Sequence, residues 1–399
     1  MSKLDRFIKY VRINTQSNDT TGTTPSTECQ KDLGKILVEE LLELGLSDAH
    51  MDEWGNVYAH LKGEGEEKRG FNAHMDTALE VSGKNVKPCL VRNYQGDPIK
   101  LTNGLEMSPK QFPSLLNHIG HDLVVTDGNT LLGADDKSGI AIIMNALEFF
   151  HENPKIKHHN LSIAFTVDEE IGEGTKHFDY QKMDADFAYT IDGGSIDTIE
   201  CENFNAKSIS INIKGVSIHP GEGKDKLINA GKVASELICM LPSNETPFDS
   251  ELDQGFWHLT EISGSPDNAS IDMIIRDFCT DGMERRIKIV EDAIKAIRAK
   301  YPQIEIDCQV KYQYENMRQY VDKKPEVIEI AKAVLKKNGI EPKLGMIRGG
   351  TDGATMSKNG LITPNLGTAS FNHHGRFEYL DVQEFEKMID VIIELMRID

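Results

Sequence analysis

The sequence lacks an apolar run long enough to cross a membrane, and it has few cysteines. A bilayer-spanning helix needs roughly 18 to 20 apolar residues in succession, and no stretch of the chain approaches that length. The six cysteines include no CxxC pair, and the N-terminal segment MSKLDRFIKYVRINTQS does not have the pattern of a secretory leader. We therefore expect reduced thiols, a cytoplasmic location and no membrane partner.

Positive charge is also in short supply. The chain has 44 Lys and Arg residues against 64 Asp and Glu residues, which gives a formal net charge of -20 at pH 7. Nucleic acid and anionic membrane surfaces would repel such a protein at long range, so neither is expected as a partner. A small or cationic substrate is compatible with this charge.

The pattern of helices and strands predicts two domains. A length of 399 residues with 39% hydrophobic content is sufficient for both. Strands alternate with helices up to about residue 205, which predicts a mostly parallel sheet covered on both faces. Residues 206–317 then follow the order βαββαβ of a ferredoxin-like sandwich, and from about 318 the alternation returns. The sequence thus predicts an α/β domain from residues 1–205 and 318–399 that is interrupted by an inserted domain.

Acidic side chains follow the carboxyl ends of three predicted strands. Asp76 ends FNAHMD, Glu169 and Glu170 follow LSIAFTV, and Asp192 follows DFAYTI. Ligand sites of open α/β sheets lie at this edge, so these side chains should converge. His74 precedes Asp76 by two residues, and such residues point to the same side of an extended chain. The carboxylate can hold one ring nitrogen while the other binds a metal.

Two further groups are expected at the same edge. Asp135 and Asp136 lie in LLGADDKSG, after a predicted short strand and at the start of a helix. His373 and His374 follow another predicted strand in FNHHGRFEYL. Alone, each group is typical of a helix cap or an exposed loop. Together, His and carboxylate ligands without thiolate indicate a metal site that suits zinc, or else manganese or cobalt.

Several short segments of the chain resemble, in order, the peptidase T branch of the zinc-dependent M20 metallopeptidases. They are HMD, GADDKSG, DEEIGEG, IDGG, GVSIHPG, IRDF, IRGGTDGA and NHHGRFE. The resemblance implies a zinc-exopeptidase catalytic domain with an inserted lid domain, and an aminopeptidase that removes the N-terminal residue from tripeptides. It also suggests a homodimer. The alternatives are another M20 hydrolase, such as a dipeptidase, carboxypeptidase or deacylase, and a catalytically inactive metal-binding module.

The resemblance implies two zinc ions held by five ligands: His74, Asp135, Glu170, Asp192 and His374. In this assignment His74 and Asp192 bind one ion, Glu170 and His374 bind the other, and Asp135 bridges both. Two divalent cations would also balance about four negative charges, three from the acidic ligands and one from a neighbouring glutamate.

The Asp135–Asp136 doublet and the His373–His374 doublet each offer two candidate ligands, and the resemblance selects one residue of each. Asp135 is preferred over Asp136 because the bridging aspartate of the family is followed by one variable residue and then a lysine. His374 is preferred over His373 because the ligand of the family directly precedes a glycine. By the same resemblance, the peptide bond between Asp135 and Asp136 is expected to be cis, as in related dizinc exopeptidases.

The remaining matched residues are implied to act on the substrate. Glu169 would be the general base, and Asp76 would orient the histidine ligand that precedes it. In the inserted domain, His219 of SIHPG would polarise the scissile carbonyl and Arg276 of IIRDF would hold a substrate carboxylate. Arg348 of RGGTDG would line the substrate pocket. Without the resemblance, these positions are typical of a turn histidine, a solvated arginine and a tight turn before a helix.

Overall fold

The computed structural model describes residues 1–398 and divides into two compact units. The larger unit comprises Met1–Cys201, Met317–Gly345 and the chain from Thr351 onwards. The smaller unit comprises Glu202–Asn316 and Met346–Gly350. Among the described residues, none of the helices combines the length and the apolar composition that crossing a membrane requires.

The α-helices and β-strands are numbered in chain order. The helices are α1 (Lys3–Val11), α2 (Gln30–Glu43), α3 (Ala134–Glu152), α4 (Tyr180–Met183), α5 (Ala230–Cys239), α6 (Thr280–Lys300), α7 (Arg318–Val321), α8 (Glu326–Lys337), α9 (Asp352–Lys358) and α10 (Val382–Met396). The first nine strands are β1 (His50–Met51), β2 (Val57–Leu61), β3 (Lys68–His74), β4 (Cys89–Val91), β5 (Ile99–Lys100), β6 (Glu106–Met107), β7 (Leu123–Val125), β8 (Asn160–Thr166) and β9 (Phe187–Gly193). The others are β10 (Thr198–Asn203), β11 (Asn205–Lys214), β12 (Phe256–Gly264), β13 (Asn268–Asp277), β14 (Glu305–Tyr314), β15 (Lys343–Ile347), β16 (Asn365–Gly367), β17 (Ser370–Phe371) and β18 (Tyr379–Asp381).

The main sheet has eight strands in the order β1-β2-β8-β3-β9-β16-β10-β15. Its centre is parallel, because β3 pairs in parallel with both β8 and β9, and β9 pairs in parallel with β16. The carboxyl ends of parallel strands meet at one edge of a sheet. His74 at the end of β3 is therefore in register with Thr166 at the end of β8. The strand ends bring the predicted acidic residues of the larger unit to one edge.

Helix α3 is the central helix of the larger unit. It lies against β3 and β9 and also contacts α1 and α10, so most of its side chains are buried. Gly139 permits the close approach to the sheet, because a Cβ atom there would overlap the carbonyl oxygen of Ile191. The contact brings the start of α3 next to the end of β9.

The smaller unit follows the order β11-α5-β12-β13-α6-β14. Its four strands form an antiparallel sheet in the order β12-β13-β11-β14. Alternate side chains of β13 are buried, and helices α5 and α6 both pack on this strand. The core is rich in isoleucine. This element order is the βαββαβ order expected from the sequence.

The structure agrees with the predicted α/β class, but it differs from the predictions in the domain bounds and in one strand. Residues Met346–Gly350 group with the smaller unit, whereas the sequence analysis placed 318–399 as a whole in the other domain. Arg348 accounts for part of this grouping, because its guanidinium donates to the carbonyl oxygen of Leu252 and to the hydroxyl of Ser250.

The second difference concerns the segment before Asp135. The sequence analysis expected a short strand there, and that expectation is wrong, because among the described residues the preceding strand, β7, ends at Val125. The amides of Leu132 and Gly133 donate to a buried carboxylate, that of Glu378, and not to a neighbouring strand. An apolar stretch without β pairing therefore leads into α3.

Candidate active site

The five predicted metal ligands lie together at the carboxyl edge of the main sheet. Nε2 of His74 is 3.0 Å from Oδ1 of Asp135 and 3.5 Å from Oδ1 of Asp192. The other oxygen of Asp135, Oδ2, is 3.4 Å from Nε2 of His374. That nitrogen is also 3.0 Å from Oε2 of Glu170. The carboxylate of Asp135 thus lies between the His74–Asp192 pair and the Glu170–His374 pair.

The two aspartates at the start of α3 have different partners. Asp136 is fully buried, and its carboxylate accepts hydrogen bonds from the backbone amides of His74 (3.2 Å) and Gly139 (3.1 Å). Asp136 also belongs to a group with His74 and Asp192 whose ligand atoms lie within 4.8 Å of one another. Since both of its oxygens already accept backbone amides, the geometry favours Asp135 as the bridging residue. The peptide bond between the two aspartates is cis, as expected.

The two histidines of the doublet also differ. Nε2 of His373 lies 2.9 Å from the hydroxyl oxygen of Ser370, and its Nδ1 is 3.5 Å from Oδ2 of Asp135. His374 has a positive φ of 62° and contacts both Asp135 and Glu170 through Nε2. Of the two histidines, only His374 contacts both Asp135 and Glu170, which is the contact expected of its predicted role.

Asp76 has more partners than the sequence analysis foresaw. Its Oδ1 lies 3.3 Å from Nδ1 of His74, as expected of an orienting carboxylate. The same carboxylate accepts the backbone amides of Glu169 (3.0 Å) and Glu170 (3.1 Å) and the hydroxyl of Ser17. Asp76 is fully buried. It therefore fixes the backbone of the two glutamates as well as the imidazole.

The carboxylates of the site are crowded in a buried space. Burial raises the pKa of Glu170 to about 7, and the charge of Asp135 acts in the same direction. Burial also raises the pKa of Glu169 well above its usual value, and the carboxylates of Asp192 and Asp352 add to this rise. Each of these groups would be stabilised as an anion by nearby positive charge.

The residues present fit a pair of divalent cations. The donor set consists of imidazole nitrogens and carboxylate oxygens, which are ligands of zinc and related metals. Oε1 of Glu170 is buried and has no hydrogen-bond partner among the described residues. His74, Asp135 and Glu170 offer ligand atoms that lie within 4.8 Å of one another. A buried carboxylate oxygen without a partner is costly unless a cation or a donor satisfies it.

Glu378 contributes to the site, although the sequence analysis did not single it out. It is 1% exposed and accepts the backbone amides of Leu132 (2.7 Å), Gly133 (2.8 Å) and Asp135 (2.9 Å). These bonds hold the segment that leads to Asp135. The only signal in the sequence is an acidic residue just before an apolar strand, and this signal does not reveal which distant amides it accepts.

The three predicted substrate residues belong to the smaller unit. His219 is exposed, and its Nδ1 accepts the backbone amide of Gly221 at 3.2 Å. Arg276 lies on β13 and donates to the carbonyl oxygen of Ile275 at 3.0 Å. Arg348 binds the loop that contains Ser250 within its own unit, which gives this arginine a structural role. The predicted action of all three on a substrate stays a prediction.

Comparison with known proteins identifies the family. A family model described as Peptidase family M20/M25/M40 matches residues 122–398. The chain belongs to this family. Curated relatives named Peptidase T include one from Clostridium perfringens, 46% identical over 397 residues, which cover 99% of this chain and 98% of the relative. Another, from Bacillus subtilis (strain 168), is 43% identical over 399 residues, which cover 99% of this chain and 97% of the relative.

Solved structures of M20-type enzymes share the fold. The aminopeptidase PepT from Bacillus cereus has a TM-score of 0.78 at 21% identity, with 99% of this chain and 97% of that chain covered. A tripeptidase from Staphylococcus aureus has the same TM-score and identity, with 99% and 96% covered. The predicted resemblance to the peptidase T branch is confirmed, and so is the predicted class, a metallo-aminopeptidase.

The hydrogen bonds of Glu378 predict that its substitution destabilises the site. Glu378→Ala removes the acceptor of three backbone amides, and each buried donor left unsatisfied costs about 1 to 3 kcal/mol. We expect the free energy of unfolding to fall by roughly 3 to 9 kcal/mol and peptidase activity to fall on the order of 10²-fold, because Asp135 moves. Urea denaturation and initial rates measure the two effects. Glu386→Ala, at an exposed position of α10, is the control, and equal losses in both variants would contradict the assigned role.

Proposed function

We propose that this M20 enzyme is a dizinc aminopeptidase that removes the N-terminal residue from tripeptides. The observation that carries the proposal is the position of the Asp135 carboxylate, whose two oxygens face His74 and His374 respectively. The names of the relatives, Peptidase T and tripeptidase, support the substrate class. A homodimer and a cytoplasmic location are retained as predictions from the sequence.

The proposed ligand assignment follows the grouping of the side chains. His74 and Asp192 would hold one zinc ion, Glu170 and His374 the other, and Asp135 both. When bound, such a pair of ions polarises the scissile carbonyl and lowers the pKa of the attacking water. Asp76 would keep the first imidazole in the orientation that directs Nε2 to the metal.

Glu169 is proposed to transfer the proton. Its carboxylate accepts a proton from the attacking water as the new carbon–oxygen bond forms. It then delivers that proton to the amine nitrogen as the carbon–nitrogen bond breaks, so the carboxylate is regenerated. Glu169 directly precedes a proposed ligand, and its backbone amide is fixed by Asp76 at 3.0 Å. The base would therefore be held beside the reacting atoms.

The smaller unit is proposed to act as a lid that recognises the substrate. Arg276 is half-buried and donates to the backbone carbonyls of Ile275 and Lys207. Its guanidinium also lies over the ring of Tyr314. Among residues 1–398, no carboxylate pairs with Arg276, and burial lowers its pKa. A partly desolvated guanidinium without an acidic partner suits the C-terminal carboxylate of a short peptide, while His219 would donate to the scissile carbonyl.

A peptide panel tests the substrate class. The metal-loaded enzyme is given equimolar di-, tri- and tetrapeptides together with an N-acetylated tripeptide, and the products are identified by mass spectrometry. We expect release of the N-terminal residue from the free tripeptide, slower cleavage of the other lengths and no cleavage of the blocked peptide. Removal of the C-terminal residue, or deacetylation of the blocked peptide, would identify a different M20 hydrolase.

Replacement of the proposed base should separate catalysis from metal binding. Glu169→Gln keeps the size of the side chain but cannot accept the proton, so kcat should fall on the order of 10² to 10⁴-fold. The zinc content, measured by plasma mass spectrometry, should not change. Glu173→Gln is the matched control, because Glu173 forms a surface ion pair with Lys176. Turnover within tenfold of the wild-type rate would exclude Glu169 as the base.

Length selection should depend on Arg276. A tripeptide leaves two residues beyond the cut, roughly 7 Å of extended chain, and its carboxylate is the group that the arginine would hold. C-terminal amidation should lower kcat/KM of the wild type, and Arg276→Ala should lower kcat/KM for the free acid on the order of 10 to 100-fold. The two losses should be non-additive, since both remove one interaction.

The comparison of the acid and the amide with the wild type and Arg276→Ala is a double-mutant-type cycle. Its control is Arg285→Ala in the same unit. Arg285 already donates to both carboxylate oxygens of Glu245, at 3.0 and 2.6 Å, so it is not available to a substrate. We expect similar acid-to-amide ratios for this variant and the wild type. Fully additive losses in the Arg276→Ala cycle would remove this residue from carboxylate recognition.

A further inference from the structure

A second group of metal-ligating side chains lies in the larger unit, and it shares no residue with the candidate active site. It consists of His118, His121, Asp381 and Glu384, whose ligand atoms all lie within 4.8 Å of one another. Nδ1 of His118 is 2.8 Å from Oδ2 of Asp381, and Nδ1 of His121 is 2.6 Å from the same oxygen. Oε1 of Glu384 is 3.9 Å from Nδ1 of His118.

Two pairs of residues, each spaced by three positions, build this cluster. His118 ends the 3₁₀ helix Pro113–His118, and the backbone amide of His121 donates to its carbonyl oxygen at 3.1 Å. Asp381 is the N-cap of α10, and its Oδ1 accepts the backbone amide of Glu384 at 2.9 Å. The cap fixes the carboxylate so that its other oxygen faces both imidazoles. The cluster is therefore preorganised by local backbone structure on both sides.

Burial distinguishes this cluster from a surface ion pair. Asp381 is fully buried and His118 is 2% exposed. Oε2 of Glu384 is buried and has no hydrogen-bond partner among the described residues. The two carboxylates of the cluster carry a charge of about -2 when ionised, which one divalent cation would balance. Hydrogen bonds from the two histidines would satisfy Asp381 but would leave Glu384 without a partner.

Two aromatic side chains pack next to His118 in the cluster. The ring of His118 lies 4.8 Å from the ring of Phe371 and 5.6 Å from that of Tyr379. Tyr379 and Asp381 both belong to β18, which begins directly after Glu378. A cation bound here would tie the 113–121 segment to β18 and α10.

We propose that His118, His121, Asp381 and Glu384 bind a divalent transition-metal ion, with zinc as the best match. Two imidazoles and two carboxylates offer four protein ligands, the number that fills the coordination of a structural zinc ion, whereas a catalytic site keeps one position open. The ion would stabilise the end of β18, whose neighbour Glu378 holds the amide of Asp135. The site goes beyond the proposed peptidase function and does not depend on it.

Metal counting tests this site. The full-length protein is saturated with Zn²⁺, freed of excess and weighed by native mass spectrometry, for the wild type, His121→Ala and Glu384→Gln. These two residues are chosen because their side chains are partly exposed, 36% and 24%, so folding is expected to tolerate the changes. We expect each variant to bind one zinc ion fewer than the wild type and to have a lower Tm in Zn²⁺. Both should retain peptidase activity, which shows that the lost ion is not catalytic.

The matched control is His60→Ala. Nδ1 of His60 also lies 2.6 Å from an aspartate oxygen, that of Asp48, but His60 belongs to none of the metal-ligand groups found among the described residues. This variant should bind as many zinc ions as the wild type. Equal zinc counts for the wild type and His121→Ala, or the same loss in His60→Ala, would overturn the proposal.

Discussion

The carboxylate of Asp76 is the contact on which the candidate active site depends. It joins the end of β3 to the segment after β8, because it faces the His74 ring and accepts the amides of Glu169 and Glu170. The parallel register of the two strands brings these groups to the same edge. One buried side chain thus contacts three of the predicted site residues, His74, Glu169 and Glu170, and fixes where they lie relative to one another.

Buried carboxylates also fix the backbone around Asp135. Asp136 accepts two backbone amides, and Glu378 accepts three, so both ends of the segment that carries Asp135 are held by buried carboxylates. Hydrogen bonds between an ionised acceptor and backbone amides are stronger than neutral ones. Negative charge therefore positions the backbone of the site, while the neighbouring carboxylates are the proposed metal ligands. The two roles are performed by different residues within a few positions of the sequence.

The sequence predicted that the acidic side chains converge better than it predicted the contacts that hold them. Acidic residues at the ends of strands are a local signal, and the main-sheet topology makes them converge as expected. The partners of Glu378 lie more than 240 positions away in the chain, so no local pattern reveals them. The strand expected before Asp135 is absent from the described residues because the amides of Leu132 and Gly133 donate to the carboxylate of Glu378. The local sequence does not reveal this distant partner either. Likewise, Met346–Gly350 groups with the smaller unit. The spacing of apolar residues in the sequence does not reveal the side-chain contacts of this segment.

The discontinuous larger unit has a consequence for synthesis of the chain. Strand β9 ends at Gly193, but β16, which pairs with it in the sheet, begins only at Asn365. A ribosome adds about 5 to 20 residues per second. The synthesis of β16 therefore follows that of β9 by roughly 10 to 30 s. The smaller unit, which is nearly continuous in sequence, emerges in that interval. During this interval one edge of β9 lacks the neighbour that covers it in the folded sheet, and an uncovered strand edge is a template for pairing with another chain.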